Sequence, residues 1–376
     1  MPDSCDVAIV GGGPAGCSLA LALRGSAQAV ALLERRPAGR GRAGAARPIA
    51  LSHASRLILE RLGVWPHLPV TPIETILVSR QGFGRTRLDA VDAGVPALGY
   101  VVEYARLAQA LKEQVLAAGI RVTFDAHDPS IERDGNGLRL RCGQSATDLA
   151  ARCVVHAEGS AQSVDKDYGQ SALIALIAAE PVARTAAFER FTDQGPLALL
   201  PMDGRYALVW SMPPERASRL ADVDAAQFLR ELQAATGNRA GRLLGVEARG
   251  QVRLGLRVRT SRIAHREAYI GNAAQTLHPV AGQGLNLALR DAWDLGLLLR
   301  DAADPGDASL LRRFAAARKL DAFATIMVTD LLAGRFLAAT PLGDAARGAL
   351  MTALDVLSPA RRFFARRMIF GPSAIP

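Results

Sequence analysis

Gly11, Gly13 and Gly16 stand in the spacing G-x-G-x-x-G, and Glu34 follows 23 residues after the first of them. Those residue types at that spacing suit a dinucleotide. Gly11 permits a tight turn, Gly13 lets a pyrophosphate approach the backbone, and Gly16 lets a helix lie close to the preceding strand. Pro14, followed by Ala15, lacks an N–H, which costs nothing in a first helical turn. The free N–H groups at that helix start favour a diphosphate. Glu34 can accept hydrogen bonds from ribose hydroxyls and disfavours a 2′-phosphate, so the bound nucleotide is FAD or NAD rather than NADP. The bland alternative is a Gly-rich turn that only packs a helix.

A second group lies between Gly271 and Asn286, where Asn272, His278, Pro279, Gly282, Gln283, Gly284 and Leu285 precede a helix running to Leu299. Dense Gly and a His-Pro pair make a loop whose backbone can face a flat ring. Negative charge at the following helix start gains about 0.3–1 kcal/mol, up to about 2 when partly buried. That suits the N1/O2 edge of a reduced flavin. His278 is expected to shape this loop rather than act as acid or base. Two further groups are ambiguous from the residues alone. Arg35, Arg36, Arg40, Arg42 and Arg47 form either a solvated loop or a phosphate-facing cluster, with Arg47 the best candidate. Glu158-Gly159, after the apolar run Leu149–His156, suits a diphosphate edge or an ordinary turn. Arg106 is grouped with the cofactor contacts.

The elements that must position these groups read as α/β. Short apolar strands at Asp6–Val10 and Ala29–Leu33 flank a small-residue helix, which predicts a Rossmann-like sheet. A helix through Leu107, Leu111 and Val115 precedes a returning strand at Arg121–Phe124. Between Pro181 and Arg259 short strand-like runs surround one helix near Ala225–Thr236, which predicts an inserted antiparallel-sheet substrate domain. The expected division is a discontinuous FAD-binding domain (1–67, 97–168 and 262–300), a substrate-binding domain (68–96 and 169–261) and a helical C-terminal region (301–376).

Composition narrows the class. The chain has 376 residues, 49% hydrophobic and 22% charged, as expected of a packed globular protein. Aromatic residues are only 5%, and no helix-turn-helix, zinc finger or basic arm accompanies the net charge of +9, so no nucleic acid is expected. Cys5, Cys17, Cys142 and Cys153 form no CxxC pair and no Cys/His cluster with zinc spacing, so no metal is expected. No cleavable leader and no apolar run of spanning length is apparent, so a cytoplasmic location with reduced thiols is expected. No Ser-His-Asp arrangement or persuasive carboxylate pair occurs, and the catalytic residues are left unassigned.

Taken together, the chain resembles the class A, single-component FAD-dependent aromatic hydroxylases over nearly its full length, and among them the ubiquinone-biosynthesis hydroxylases. The resemblance rests on the Gly11 fingerprint with Glu34, Arg47-Pro48-Ile49-Ala50-Leu51-Ser52, Val101-Val102-Glu103 and Asp167-Tyr168-Gly169-Gln170. It continues through Phe188-Glu189-Arg190-Phe191-Thr192, Gly195-Pro196-Leu197-Ala198 and, most specifically, Gly271–Asp291. Glu158 stands where the family has Asp, Asp165 where it often has Arg, and Asn272 and Gln275 where it commonly has Asp and His. The Asn272 and Gln275 departures agree with the ubiquinone branch.

What the resemblance implies is bound FAD, with NAD(P)H and O2 as cosubstrates. NAD(P)H binds at the surface without its own domain, since no second G-x-G-x-x-G occurs. Oxygen reaches an electron-rich phenol through a flavin C4a-hydroperoxide, and water must be kept away from it. The implied substrate is a polyprenylated methoxyphenol. The alternatives are hydroxylation at another ring position or of a soluble aromatic acid, and a non-catalytic flavin-binding subunit of a biosynthetic complex. A base for the phenol proton would help, but the sequence does not identify it. A polyprenyl substrate implies contact with the inner face of a membrane. The basic, aromatic segment Leu357–Phe370 either supplies that contact or docks on the body.

Overall fold

The computed structural model describes residues 3–38, 47–80, 84–127, 129–135, 137–142, 147–159, 166–278, 282–333 and 358–370. Pro279, Arg40, Arg42, Asp165 and the Ser160–Ser163 run lie outside the described residues. The first third of the chain forms β1 (Asp3–Val10), α1 (Pro14–Ala22), β2 (Val30–Leu33), β3 (Pro48–Ser52), α2 (His53–Arg61), β4 (Thr71–Ile73), β5 (Thr75–Arg80), β6 (Arg85–Asp89), α3 (Ala90–Ala93), β7 (Gly99–Glu103), α4 (Tyr104–Ala117) and β8 (Arg121–Thr123). The middle forms β9 (Ser130–Asp134), β10 (Gly137–Cys142), β11 (Thr147–His156), β12 (Lys166–Glu180), β13 (Ala186–Phe191), β14 (Pro196–Met202), β15 (Arg205–Met212), α5 (Pro214–Asp222), α6 (Ala225–Thr236) and β16 (Arg242–Val258). Then come β17 (Ile263–Ala264), β18 (Glu267–Tyr269), β19 (Gln275–Thr276), α7 (Gln283–Leu299), α8 (Ala308–Ala333) and α9 (Ser358–Phe370).

The predicted parallel sheet is present. β18, β11, β1, β2 and β8 lie side by side and parallel, with β17 antiparallel at one edge and the hairpin of β9 and β10 beside β11. Val7 and Ile9 of β1 face a core with Leu19, Leu107, Leu111, Leu289 and Phe314, while Ala8 and Val10 face Leu138, Leu140 and Val154. A strand buried on both faces explains the unbroken apolar run in the sequence.

The second sheet runs β19-β16-β12-β15-β14-β13-β5-β6, antiparallel except for the parallel pair of β13 and β5. One face packs Leu173, Ala175, Leu208 and Trp210 against Leu220 of α5 and Phe228 and Leu232 of α6. Two helices therefore cover this face where the sequence reading expected one. Helix α5 has only nine residues and buries only Ala217 and Leu220, too short a pattern to read from periodicity. β3, β7 and β4 form a small third sheet that fixes the segment Pro48–Ser52. Cys5, Cys17 and Cys153 are free and buried, and burial pushes each thiol up to about 12. Among the described residues no helix is long and apolar enough to cross a membrane, and no cluster of His, Cys, Asp and Glu could hold a metal ion.

Candidate active site

One cavity of about 1080 Å³ runs from the C-terminal ends of β1 and β2, past the start of α7, to the open face of the second sheet. That is slightly above the usual range for small-molecule sites, about 300–1,000 Å³. Its walls include Gly11, Gly13, Pro14, Ala15, Glu34, Arg35, Arg47, Glu158, Gly159, Asn272, Gly282, Gln283, Gly284, Leu285 and Asn286. Residues separated by more than two hundred positions are thus brought to one hollow.

Close helix packing is what makes this possible. α1 and α7 lie against each other, and a Cβ added at Gly296 would stand 2.6 Å from the Cβ of Ala22. Near their starts, Gly271 fits between Ala15 and Ala288. The two helices therefore run in the same direction and open onto the same cavity. Their N-caps, Gly13 and Gly282, provide no side-chain hydrogen bond, so the first N–H groups of both helices keep their capacity for a ligand. Space above Gly13 and Gly284 is open, with no atom within 4 Å of an added Cβ. Gly11 instead has φ +109°, and a Cβ there would meet the Ala157 carbonyl oxygen at 2.7 Å.

Individual side chains divide into those turned to the cavity and those holding the protein. Glu34 is buried and accepts from the Arg36 backbone N–H (2.8 Å) and its Nε (3.2 Å) through Oε1, while Oε2 lies over Gly12. Asn272 donates through Nδ2 to the Gly159 carbonyl (3.1 Å), leaving Oδ1 as an acceptor at the cavity. Arg47 lies over the Tyr104 ring at 5.3 Å.

Three expected contacts differ. The Asn286 amide is committed to the protein: Oδ1 accepts from Ser52 N–H (2.8 Å) and Ser55 Oγ (2.7 Å), and Nδ2 donates to Ala50 O (3.0 Å) and Gly282 O (2.7 Å). It straps the loop to β3 and α2 rather than offering a side-chain bond to a ligand. Arg106 is not a wall of the cavity: its side chain is 70% exposed beside Glu103. Gly16 is also absent from the walls and packs against the Gly11 carbonyl, the close approach expected of the third glycine.

Two histidines have opposite environments. His156 lies between Glu158 (Nδ1–Oε1 2.9 Å) and Glu267 (Nε2–Oε2 2.8 Å) and stacks on Tyr269. Burial opposes its charge, but hydrogen bonds to both carboxylates outweigh this and hold its pKa at about 9. Glu158 is therefore one partner of an imidazolium. The signal was legible: His156 and Glu158 share one face of an extended strand end, two residues apart. His278 is fully buried, 3.2 Å from Gln170 Oε1 and edge-on to Tyr168, and burial pushes it down to about 4. A histidine kept neutral by burial is thus held by Gln170 and Tyr168 in the segment before α7.

Behind α7 lies a buried ionic group. Asp291 accepts from Arg262 (3.0 Å), Arg318 Nε (2.8 Å) and Gln275 Nε2 (3.0 Å), and Asp321 accepts from Arg290 Nε (2.9 Å) and Arg318. Gln275 thus gains a structural reason: its amide ties β19 to α7.

The comparisons with known proteins agree with this geometry. Residues 4–329 match the model of the FAD binding domain family. The ubiquinone hydroxylase UbiL of Rhodospirillum rubrum is 32% identical, over 96% of this chain and 88% of that protein. The 3-demethoxyubiquinol 3-hydroxylase of Escherichia coli is 30% identical, over 88% and 90%. This chain belongs to the FAD-dependent aromatic-ring hydroxylases. Its fold is also that of Klebsiella pneumoniae HpxO, solved with FAD and uric acid (TM-score 0.76, 16% identity, 99% of this chain and 97% of that one). Pseudomonas aeruginosa PqsL, solved with 2-aminobenzoylacetate, is similar at a TM-score of 0.74 and 23% identity, over 93% and 100%. The cofactor of the hydroxylase is FAD, with NAD(P)H and O2 as cosubstrates. The two uncapped helix starts and the open space at Gly13 and Gly284 fit the diphosphate and ring of such a cofactor.

Proposed function

We propose that this hydroxylase adds one oxygen atom to a polyprenylated methoxyphenol in ubiquinone biosynthesis. The observation that carries the reading is the cavity's far end. Beyond the α7 start, its walls include Ile76, Leu88, Ile174, Leu200 and Val209, with Ala365 and Ile369 of α9. A largely apolar hollow suits a prenylated ring better than a soluble aromatic acid, which would need a paired cation. The Rhodospirillum and Escherichia relatives, a ubiquinone hydroxylase and a 3-demethoxyubiquinol 3-hydroxylase, support a substrate from ubiquinone biosynthesis.

In this reading Gly11, Gly13, Pro14 and Ala15 hold the diphosphate, Glu34 the adenosine ribose, and Arg35 and Arg47 neighbouring phosphate oxygens. Asn272 Oδ1 accepts from a ribityl hydroxyl, and Gly282, Gln283, Gly284 and Leu285 face the flavin ring. When bound and reduced by NAD(P)H, the flavin supplies an electrophilic oxygen derived from O2. The protein's part is to orient the phenol and exclude water. The division into an FAD-binding domain (1–67, 97–168, 262–300), a substrate-binding domain (68–96, 169–261) and a C-terminal region (301–376) is part of the proposal, with β4 and β19 pairing across it.

The test is direct. Purified protein is expected to be yellow, and a short-chain 2-prenylphenol should accelerate NAD(P)H oxidation and yield a product heavier by one oxygen. Absence of phenol-dependent oxygen uptake would point instead to a non-catalytic flavin subunit. A prenyl substrate also calls for access from a membrane at its inner face. Helix α9 turns Arg362, Phe363 and Arg366 outward, with Phe363 62% exposed. Each basic residue near an anionic surface contributes about 1 kcal/mol, so R362E/R366E should weaken binding to phosphatidylserine vesicles by roughly tenfold or more. Unchanged vesicle binding would remove the membrane contact from the proposal.

A further inference from the structure

The cavity-facing side of the second sheet is mostly apolar, with Thr86, Glu189 and Ser211 among its polar walls and Arg190, Arg253 and Thr276 at its margins. Strand alternation sends Ala187, Glu189 and Phe191 of β13 toward the cavity, while Phe188 faces the opposite core. Register places Glu189 beside Val78 of β5 on one side and Ala198 of β14 on the other. Val78 is in turn beside Thr86 of β6. One row across the sheet thus reads Thr86, Val78, Glu189, Ala198 and Val209, all walls of the cavity. Glu189 is enclosed by protein except toward the cavity, and no hydrogen-bond partner is found for its carboxyl among the described residues. Thr86 Oγ1 is likewise buried without a partner. Unpartnered polar groups are costly in such a wall, which marks them for a ligand.

Nearby charges are engaged elsewhere. Arg190 donates to the Thr236 carbonyl, Arg253 pairs with Asp167, and Arg87 pairs with Asp89. Arg80, beside Phe191 in register, has a partner of its own, and Arg366 on α9 is exposed. Burial alone acts on Glu189, pushing its carboxyl above the ordinary range toward that of a useful base. Along β13 it lies two residues, roughly 7 Å, from Phe191. Phe191 is paired with Pro196 at one end of the strand, and Ala187 lies two residues the other way from Glu189, beside Ile76, which packs against the cluster that holds Ala365 and Ile369 of α9.

We propose that Glu189 takes the phenol proton of the substrate during hydroxylation, with Thr86 holding a second ring oxygen; this rests on the proposed phenol substrate. The phenol O–H bond breaks as Glu189 accepts the proton. The electron pair passes through the ring to its ortho or para carbon, which forms the new C–O bond with the electrophilic oxygen drawn from O2. That carbon then loses its hydrogen as a proton, the ring regains aromaticity, and Glu189 returns its proton to the original oxygen. NAD(P)H is the reductant, the second oxygen atom leaves as water, and the carboxyl ends as it began.

The test uses E189Q, which keeps the shape and hydrogen-bonding reach, beside E189D, in FAD-loaded enzyme. General-base loss predicts a fall in kcat of about 10²–10³-fold with KM changed only a few-fold. The deficit should shrink at alkaline pH as a phenol of pKa about 10 ionises by itself. NAD(P)H consumption should continue, with peroxide replacing hydroxylated product, and E189D should recover part of the rate. Independently of turnover, 4-nitrophenol binding to the oxidised holoenzyme should show a carboxyl titration in wild type that E189Q lacks. Wild-type kcat and pH profile in E189Q, or identical 4-nitrophenol binding curves, would overturn the assignment. Wild-type enzyme that fails to hydroxylate 2-prenylphenol yet shows the Glu189-dependent titration would instead overturn the substrate reading.

Discussion

At the scale of residues, the site works by leaving some polar groups unspent and committing others. Gly13 has open space above its Cα, so G13V should fold normally and yet fill the place of the diphosphate. Its expected signature is an unchanged unfolding midpoint with FAD affinity reduced more than tenfold, read from flavin absorbance after gel filtration; about 1.4 kcal/mol of lost contact already gives that factor. A large drop in unfolding midpoint would mean the glycine serves the backbone instead. The two histidines set a pH window. His156 has a folded pKa of about 9, above its ordinary 6.5, so its contribution is complete below pH 6.5 and is lost as pH rises through 9. His278 is depressed to about 4, so its neutral burial stabilises above pH 6.5 and ceases to do so as pH falls toward 4. Urea unfolding should show H156Q losing stability less steeply than wild type between neutral and alkaline pH. Equal slopes would mean that His156 is not held as an imidazolium.

At the scale of elements, the decisive contact is between two parallel helices. Gly296 allows α7 to lie on Ala22 of α1, and a larger side chain there must push them apart. G296V should cost about 1–3 kcal/mol by overpacking. Because both helix starts shift, it should also weaken FAD binding, unlike a surface change of similar cost. Behind α7, Arg318 serves Asp291, Asp294 and Asp321 at once. R318M would leave Asp291 buried with only Arg262 as a charged partner, an expected loss of about 3–5 kcal/mol in chemical denaturation. A loss below 1 kcal/mol would show that the network is dispensable.

At the scale of the whole molecule, the second sheet uses its two faces differently: one buries α5 and α6, the other forms the cavity with the dinucleotide sheet opposite. Helix α9 completes that enclosure. Ala365 and Ile369 pack with Leu88, Ala90, Ala93 and Leu98, and Phe370 meets His53 edge-on. The two readings of the C-terminal segment are therefore compatible, since the helix docks by one face and presents arginines and Phe363 on the other.

The sequence by itself determined the dinucleotide cradle, the α/β class and the family. Those depend on local chemistry: glycines where the backbone needs room, apolar runs buried on both faces, and an acid at a strand end. The tertiary structure decided which of those residues are spent on the protein. Asn286 was grouped with the cofactor contacts, but Ser52, Ser55 and Ala50, more than two hundred residues away, together with Gly282 engage its amide. Glu189 belongs to a motif that carries the family resemblance, but nothing in the residues themselves showed what it faces. Its meaning arises only when β5, β14 and β6 supply apolar neighbours and no counter-charge, because the free energy of an ionisable group is set by what surrounds it in space.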